Sequence, residues 1–324
     1  MINNEFYIQA LEILADRRAK NKALEEKRRN EIAKAFPEYL LLEKQLAKTG
    51  HRLAMVILNK SKNALKEIKE IEKENLNIQD RINVILKKAG KNVDYLDSIY
   101  SCKKCQDTGI FNNKRCSCVE EIARNIAIQR LNESSPLNLS DFDSFKLEYY
   151  SEKRDLRLNM SARELMRQNL QMCRDFAFNF HVPMSKNGIL MIGKTGLGKT
   201  HLSLAIAKIV IEKGYSVVYG SVPDFLRKIE KEHFSSSEAD TIGVLNSCDL
   251  LILDDLGAEF DSQFYTAALY NIINSRLNKR LPVIANTNLT AVQLKDRYSD
   301  RIFSRLFSLE VLSFFGEDIR LKNH

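Results

Sequence analysis

Residues 188–213 read GILMIGKTGLGKTHLSLAIAKIVIEK. A short apolar run that can form a buried strand passes into Gly193 to Thr200, which has the spacing G-x-x-x-x-G-K-T. It then enters a stretch of helical periodicity free of Gly and Pro. Strand, glycine-rich loop and helix in that order are the context in which this spacing makes a phosphate site. The glycines let consecutive backbone N–H groups turn inward around a β-phosphate at a helix N-terminus. Gly193, Lys194, Thr195, Gly196, Leu197 and Gly198 would form the cradle, Lys199 would bridge the β- and γ-phosphates, and the Thr200 hydroxyl would hold Mg2+. ATP and Mg2+ are therefore the expected ligands.

Downstream, apolar strands are predicted at 188–192, 216–219, 250–253, 282–285 and 309–313. They alternate with helices at 199–213, 222–233 and 262–278, and a helix at 161–178 precedes the first of them. That alternation predicts an α/β domain with a parallel sheet and helices on both faces. The strand LLIL ends in Asp254 and Asp255, whose side chains point differently. Asp254 is expected in the Mg2+ shell and Asp255 free to polarise the attacking water. An Asp at the second place is shorter than the Glu common there, so slow hydrolysis is expected. The next strand ends in Asn286-Thr287-Asn288, and Asn288, with Asn286 in reserve, is the amide expected to orient water or sense the γ-phosphate. Phe225, Arg227, Lys228 and Lys231 combine an aromatic ring with basic groups that suit single-stranded DNA, or they are a solvated helix face. Arg301 and Arg305 lie four apart on one helix face, remote in sequence from the phosphate loop, where an arginine can complete a neighbour's site in trans or pair with surface carboxylates.

Upstream, the chain changes character. Residues 5–32, a run ending at Lys48, and residues 52–88 are predicted helices, separated by Pro37 and by a bend at Thr49-Gly50. Ile68, Ile71, Ile78, Ile82 and Ile85 make a narrow apolar stripe that suits packing on a hairpin partner better than exposure to another protein. Cys102, Cys105, Cys116 and Cys118 read C-x2-C-x10-C-x-C, the paired spacing that closes an all-thiolate tetrahedral Zn2+ site. A redox C-x-x-C would need a thioredoxin-like setting that is missing. The expected organisation is 1–98 helical, 99–133 a zinc module and helix, 134–160 a linker rich in Ser, Asn and Pro, and 161–324 the ATPase domain. Residues 1–135 carry +7 of the net charge of +8. A polybasic region favours nucleic acid or acidic protein, although Lys interleaved with Glu on helices is commonly only solvated. With 44% hydrophobic and 28% charged residues in 324, the composition excludes collagen-like and wholly disordered chains. No apolar run spans a bilayer and no secretory signal opens the chain, so a cytoplasmic protein without a membrane partner is expected.

The three strand ends, with DRIFSRL (300–306) and GEDIR (316–320), resemble the AAA+ ATPases of the bacterial replicative helicase loader family, the DnaC and DnaI type, over residues 140–322. The cysteine segment is similar to the zinc-containing N-terminal module of the DnaI-like branch. The resemblance implies Walker A at Gly193 to Thr200, Walker B at Asp254 and Asp255, and sensor 1 at Asn288. It also implies an arginine finger at Arg305, with Arg301 able to share its role, and a sensor-2-like Arg320. With only four residues after Arg320, no C-terminal helical lid is expected, and the site would be open unless a neighbour covers it. The implied function is ATP-dependent loading of a hexameric replicative helicase onto single-stranded DNA, the N-terminal region holding the helicase and the chain self-associating through its ATP site. IstB-like transposition helper ATPases share nearly the same core. A small-molecule P-loop kinase would need an acceptor pocket and lid, and a non-hydrolysing adaptor would not need Lys199, Thr200, Asp254 and Asp255 intact.

Overall fold

The computed structural model describes residues 4–58, 64–133, 139–155, 159–184, 187–235 and 240–322. The chain divides into two compact units, Leu11–Val119, and Met1–Ala10 together with Glu120–His324. No described helix is long and apolar enough to cross a membrane.

In the first unit, α1 (Asn4–Ala35) leads to α2 (Glu38–Leu58) and α3 (Ala64–Lys88). Tyr39 and Leu42 of α2 meet Ile78, Ile85 and Leu86 of α3 in one buried cluster with Ile32. The isoleucine stripe is thus consumed in the hairpin: Ile71, Ile78 and Ile85 are buried, and Ile68 and Ile82 are half-buried. The bend expected at Thr49-Gly50 does not form. α2 runs through it because Thr49 is buried and its Oγ1 donates to the Leu46 carbonyl (2.8 Å) and to Asn75 of α3, while a single mid-helix glycine costs only about 1 kcal/mol. α2 is described to Leu58 and α3 from Ala64. Beyond α3, β1 (Ile110–Phe111) and β2 (Lys114–Arg115) form an antiparallel hairpin between the two cysteine pairs, turning on Asn112 and Asn113 with φ of +51° and +56°.

The second unit takes α4 (Ser117–Glu133) from Glu120 onward; its Ala127, Ile128 and Leu131 are buried against the sheet. The described part of the expected linker is also core, with Phe142, Phe145 and Tyr150 buried. A short hairpin, β3 (Arg154–Asp155) with β4 (Met160–Ser161), leads into α5 (Ala162–Phe178). α5 opens with a reciprocal capping box between Ser161 and Glu164. The elements then alternate: β5 (Gly188–Ile192), α6 (Lys199–Glu212), β6 (Val217–Ser221), α7 (Val222–Phe234), a short α8 (Thr241–Leu245), β7 (Leu250–Leu256), α9 (Gln263–Asn278), β8 (Val283–Thr287), α10 (Ala291–Arg297), α11 (Asp300–Leu306) and β9 (Glu310–Ser313).

Among the described residues β6-β7-β8-β5-β9 form one wholly parallel sheet. Alternate residues serve opposite cores, as a pleated strand requires. Leu250, Ile252, Ile284, Ile189 and Met191 face the side of α5 and α6. Leu251, Leu253, Val283, Ala285 and Leu190 face α7, α9 and α11. The predicted strands and helices of this unit all form, mostly within one to three residues at their ends. α8 and the β3–β4 hairpin, too short for a periodic signal, were not anticipated.

Candidate functional site

The C-terminal ends of β5, β7 and β8 and the segment after β9 meet at a cavity of about 330 Å3, lined by the phosphate loop, Asp254, Asp255, Asn286, Asn288, Ile319 and Arg320. Gly198, at φ +85°, is the N-cap of α6, so the helix starts at Lys199 with its first N–H groups turned toward the loop. Gly196 (φ +72°) admits only hydrogen: a Cβ there would stand 1.9 Å from an Asp318 carboxylate oxygen. The segment after β9 folds onto the loop at this point, Ile319 N donating to the Gly196 carbonyl at 2.9 Å.

Lys199 is buried and its Nζ donates to the carbonyls of Gly193 (2.6 Å) and Lys194 (2.7 Å) and to Asn288 Oδ1 (2.8 Å). Burial pulls its pKa below the ordinary lysine value, against the opposing pull of Asp254 and Asp255. Folded back into the loop, the ammonium is hydrogen-bonded on all three sides. Asn288 is exposed toward the cavity.

Asp254 is a buried carboxylate with four donors. Thr200 Oγ1 (3.0 Å) and Tyr219 Oη (2.9 Å) reach Oδ2, and Asn286 Nδ2 (3.1 Å) and the Asp255 N–H (3.1 Å) reach Oδ1. Asn286 is oriented in turn by Ser203 Oγ at 3.0 Å. The two asparagines therefore differ: Asn288 faces the cavity and Asn286 fixes a carboxylate. Tyr219 was not anticipated, since a tyrosine in a strand carries no signal of its own until β6 lies beside β7. Between Leu253 and Leu256 the register of β7 on β8 slips, and Asp255 takes φ +54° at this bulge. A bulge re-aims a side chain, and here it turns Asp255 outward while Asp254 stays in. Burial, then the neighbouring Asp254, raise the Asp255 pKa. A carboxylate raised in this way is a better proton acceptor for water than an ordinary one.

Arg320 lines the cavity and pairs with Asp318 (Nη2–Oδ2 2.8 Å, Nε–Oδ1 3.1 Å). Arg301 (exposed) and Arg305 (half-buried) sit on α11 and do not line it. Of the basic-aromatic set on α7, Phe225 belongs to the core, 2% exposed with its ring against Gly220, so it cannot stack bases. It lies on the inner face of an amphipathic helix, a face that the proximity of Arg227 and Lys228 in sequence conceals. Arg227 pairs with Asp224 at 2.5 Å, and Lys228 and Lys231 line a cavity beside Arg130. At the end of α7, Phe234 is 76% exposed, with the rings of His233 and the half-buried Phe264 around it.

In the other unit the four cysteine sulfurs lie within 4.8 Å of one another, Cys102–Cys116 at 3.9 Å and Cys105–Cys118 at 3.5 Å. A tetrahedral site with ~2.3 Å zinc–sulfur bonds has sulfur–sulfur edges of about 3.8 Å, so the donor set fits Zn2+. The buried Asp107 holds the first knuckle, accepting from Cys102 N (2.7 Å) and Ser101 N (2.8 Å).

Residues 151–324 match the family described as IstB-like ATP binding protein. The replicative helicase loader DnaI of Bacillus subtilis is 27% identical over 126 residues, 39% of this chain and 40% of that protein. A putative insertion sequence ATP-binding protein of Sinorhizobium fredii is 35% identical over 92 residues, 28% of this chain and 31% of that protein. The alignments thus span less than half of these relatives. A crystal structure of the DnaC helicase loader is similar over 54% of this chain and 98% of its own, with 23% identity and a TM-score of 0.45.

Proposed function

The chain belongs to the IstB-like ATP binding protein family, and from that premise we propose that it hydrolyses ATP to load a replicative DNA helicase onto single-stranded DNA. The observation that carries this reading is the unit Leu11–Val119, a helical hairpin with a four-thiolate knuckle in a chain whose ATPase unit has its own core. A separate module of this kind suits a protein partner, and the end of α2 and the start of α3 expose Ile57, Leu58 and Leu65, at 62%, 74% and 80%. The transposition-helper reading draws on the family and on the Sinorhizobium relative; it requires duplex DNA and a transposase in place of the helicase. Co-purification with the cognate replicative helicase, with and without ATP, read by light scattering, separates the two. No complex in either condition removes the loader reading.

On nucleotide entry Lys199 exchanges the Gly193 and Lys194 carbonyls for phosphate oxygens. Mg2+, which neutralises charge on the β- and γ-phosphates when bound, would be held by Thr200 and Asp254. Tyr219 and Asn286 keep the Asp254 carboxylate in one rotamer, Asp255 accepts a proton from the attacking water, and Asn288 orients it. Arg305 serves the site of a neighbouring copy, and Arg320 leaves Asp318 for phosphate. In solution, turnover per chain is expected to rise with protein concentration as copies meet.

The knuckle holds one structural Zn2+. Cys102→Ser or Cys116→Ser should release it and unfold the knuckle, because thiolate ligation is its folding free energy, while ATP binding in the other unit persists. Protein purified under reducing conditions without stoichiometric zinc would sink this.

Single-stranded DNA stacks on Phe234, with Lys228 and Lys231 neutralising phosphates. Phe234→Ala is expected to weaken binding of an oligothymidylate about tenfold, since stacking of one base contributes ~1–3 kcal/mol. Fluorescence anisotropy of a labelled oligonucleotide reads the change, and an unaltered Kd would remove Phe234 from the DNA path.

A further inference from the structure

Glu259 lies just beyond Asp255, yet its side chain is only 4% exposed, rare for a carboxylate on a loop. Its Oε2 accepts from the Gly257 N–H at 3.0 Å, tightening the turn that follows β7. Its Oε1 accepts from Tyr298 Oη (2.5 Å) and Arg297 Nε (3.3 Å), and Arg297 Nη2 also donates to the Glu259 carbonyl. Arg297 ends α10, Tyr298 is its C-cap and is itself buried, and Asp300 opens α11, which carries Arg301 and Arg305. One buried carboxylate thus joins the loop beyond the water-activating Asp255 to the joint between α10 and α11. A second tie parallels it: Thr287 Oγ1 donates to the Leu256 carbonyl at 2.7 Å, fastening the ends of β7 and β8. The helix held by this joint is short and rests on the core through Ile302 and Leu306, so its orientation depends on how its N-terminal end is anchored.

We propose that Glu259, Arg297 and Tyr298 form a positioning cluster that, from the chain's own Asp255 loop, sets the attitude of α11 and hence of the Arg305 offered to the next ATP site. This rests on the reading of Arg305 as a residue that acts in trans. A buried carboxylate bonded at once to its own loop and to the α10–α11 joint cannot shift with one and leave the other behind without breaking bonds in a site shielded from water, where an unpartnered charge is costly.

The test separates the donor of the arginine from the acceptor. Acceptor chains carry Arg305→Ala and keep a competent phosphate loop. Donor chains carry Lys199→Ala, so their own site is silent and they contribute only Arg305. The acceptor–donor mixture should hydrolyse ATP; if it does not, with association confirmed by sedimentation, the trans reading falls and this inference with it. When the mixture is active, donors carrying Lys199→Ala with Glu259→Gln, or with the milder Tyr298→Phe, should restore at least about tenfold less turnover, as small misplacements of a reacting group do. Acceptor affinity for a fluorescent ATP analogue should be unchanged. Thermal melting of each donor shows that it is folded, and Tyr298→Phe, which deletes one hydroxyl, covers the case in which Glu259→Gln does not fold. Full rescue by a folded double-variant donor would overturn the cluster's role while leaving the trans arginine standing, because a donor with a silent site has no catalysis of its own to lose.

Discussion

Lys199→Ala is expected to weaken nucleotide binding by at least about a hundredfold, whereas Asp255→Asn should leave it nearly intact and lower turnover by ~100-fold or more. Lys199 Nζ is a charged donor buried in the loop and is already centred there on two carbonyls and Asn288. Removing it takes away charge-assisted hydrogen bonds to phosphate, each contributing about 1.5–3 kcal/mol. Asp255 makes no such contact with the loop; the bulge turns it out of β7 while Asp254 remains held by Thr200, Tyr219 and Asn286. Its amide analogue cannot accept a proton from water but keeps nearly the same shape. Equilibrium binding of a fluorescent ATP analogue, alongside phosphate release, tests the division. Equal loss of affinity in both variants would show that Asp255 belongs to binding, not to the chemical step.

The largest stability effect should come from Arg276, far from the phosphate loop. It is completely buried on α9 and donates to the carbonyls of Leu245 (2.6 Å), Cys248 (2.9 Å), Asp249 (3.3 Å) and Pro282 (2.9 Å). These carbonyls end α8 and precede β7 and β8, so the guanidinium fastens the entry side of two central strands. Arg276→Met keeps much of the apolar stem but takes this donor from all four carbonyls, of which Pro282 keeps the Leu251 N–H (3.3 Å), at ~1–3 kcal/mol for each left without a partner that water cannot reach. A net loss of about 4 kcal/mol is expected, which lowers the melting temperature of the ATPase unit by roughly 8–16 °C. Calorimetry showing a shift below about 3 °C would mean that water or backbone movement satisfies these groups.

The sheet was legible because its signals are local. The runs LLIL and VIA are too apolar for anything but buried strands, and the loop glycines stand at a spacing that only a phosphate cradle uses. Strand alternation predicts that Asp254 and Asp255 point differently, but not the bulge that turns Asp255 outward. The role of Asn286 was not legible either, because it depends on Ser203 and Asp254 arriving from other elements. Phe225 was misread for a related reason: its neighbours in sequence are basic, but its neighbours in space are Gly220 and the core. Thr49-Gly50 has the composition of a turn, yet the packing of Thr49 on α3 outweighs a propensity cost of about one kcal/mol. Phe142, Phe145 and Tyr150 lie in a stretch whose polar composition reads as a linker, although four aromatic residues in the nine from Phe142 to Tyr150 already hinted at burial. Glu259 offered no signal, since a carboxylate two residues past a glycine turn is ordinarily solvated and only the approach of Arg297 and Tyr298 gives it partners.

At the margin of the sheet, the side chain of Asn132 behaves as a one-residue strand. Its Nδ2 donates to the Val217 carbonyl at 2.8 Å and its Oδ1 accepts from the Tyr219 N–H at 3.2 Å, completing two rungs on the open side of β6. An unfinished strand edge invites pairing with other chains, so this amide acts as a hem. The practical consequence concerns excision: a fragment begun at the Ser- and Pro-rich stretch after Glu133 would cut away the hem, uncover the apolar patch that Ala127, Ile128 and Leu131 occupy, and be prone to precipitate. A fragment begun at Glu120 keeps both, and Tyr219, the hydroxyl donor to Asp254, keeps its strand seamed on either side.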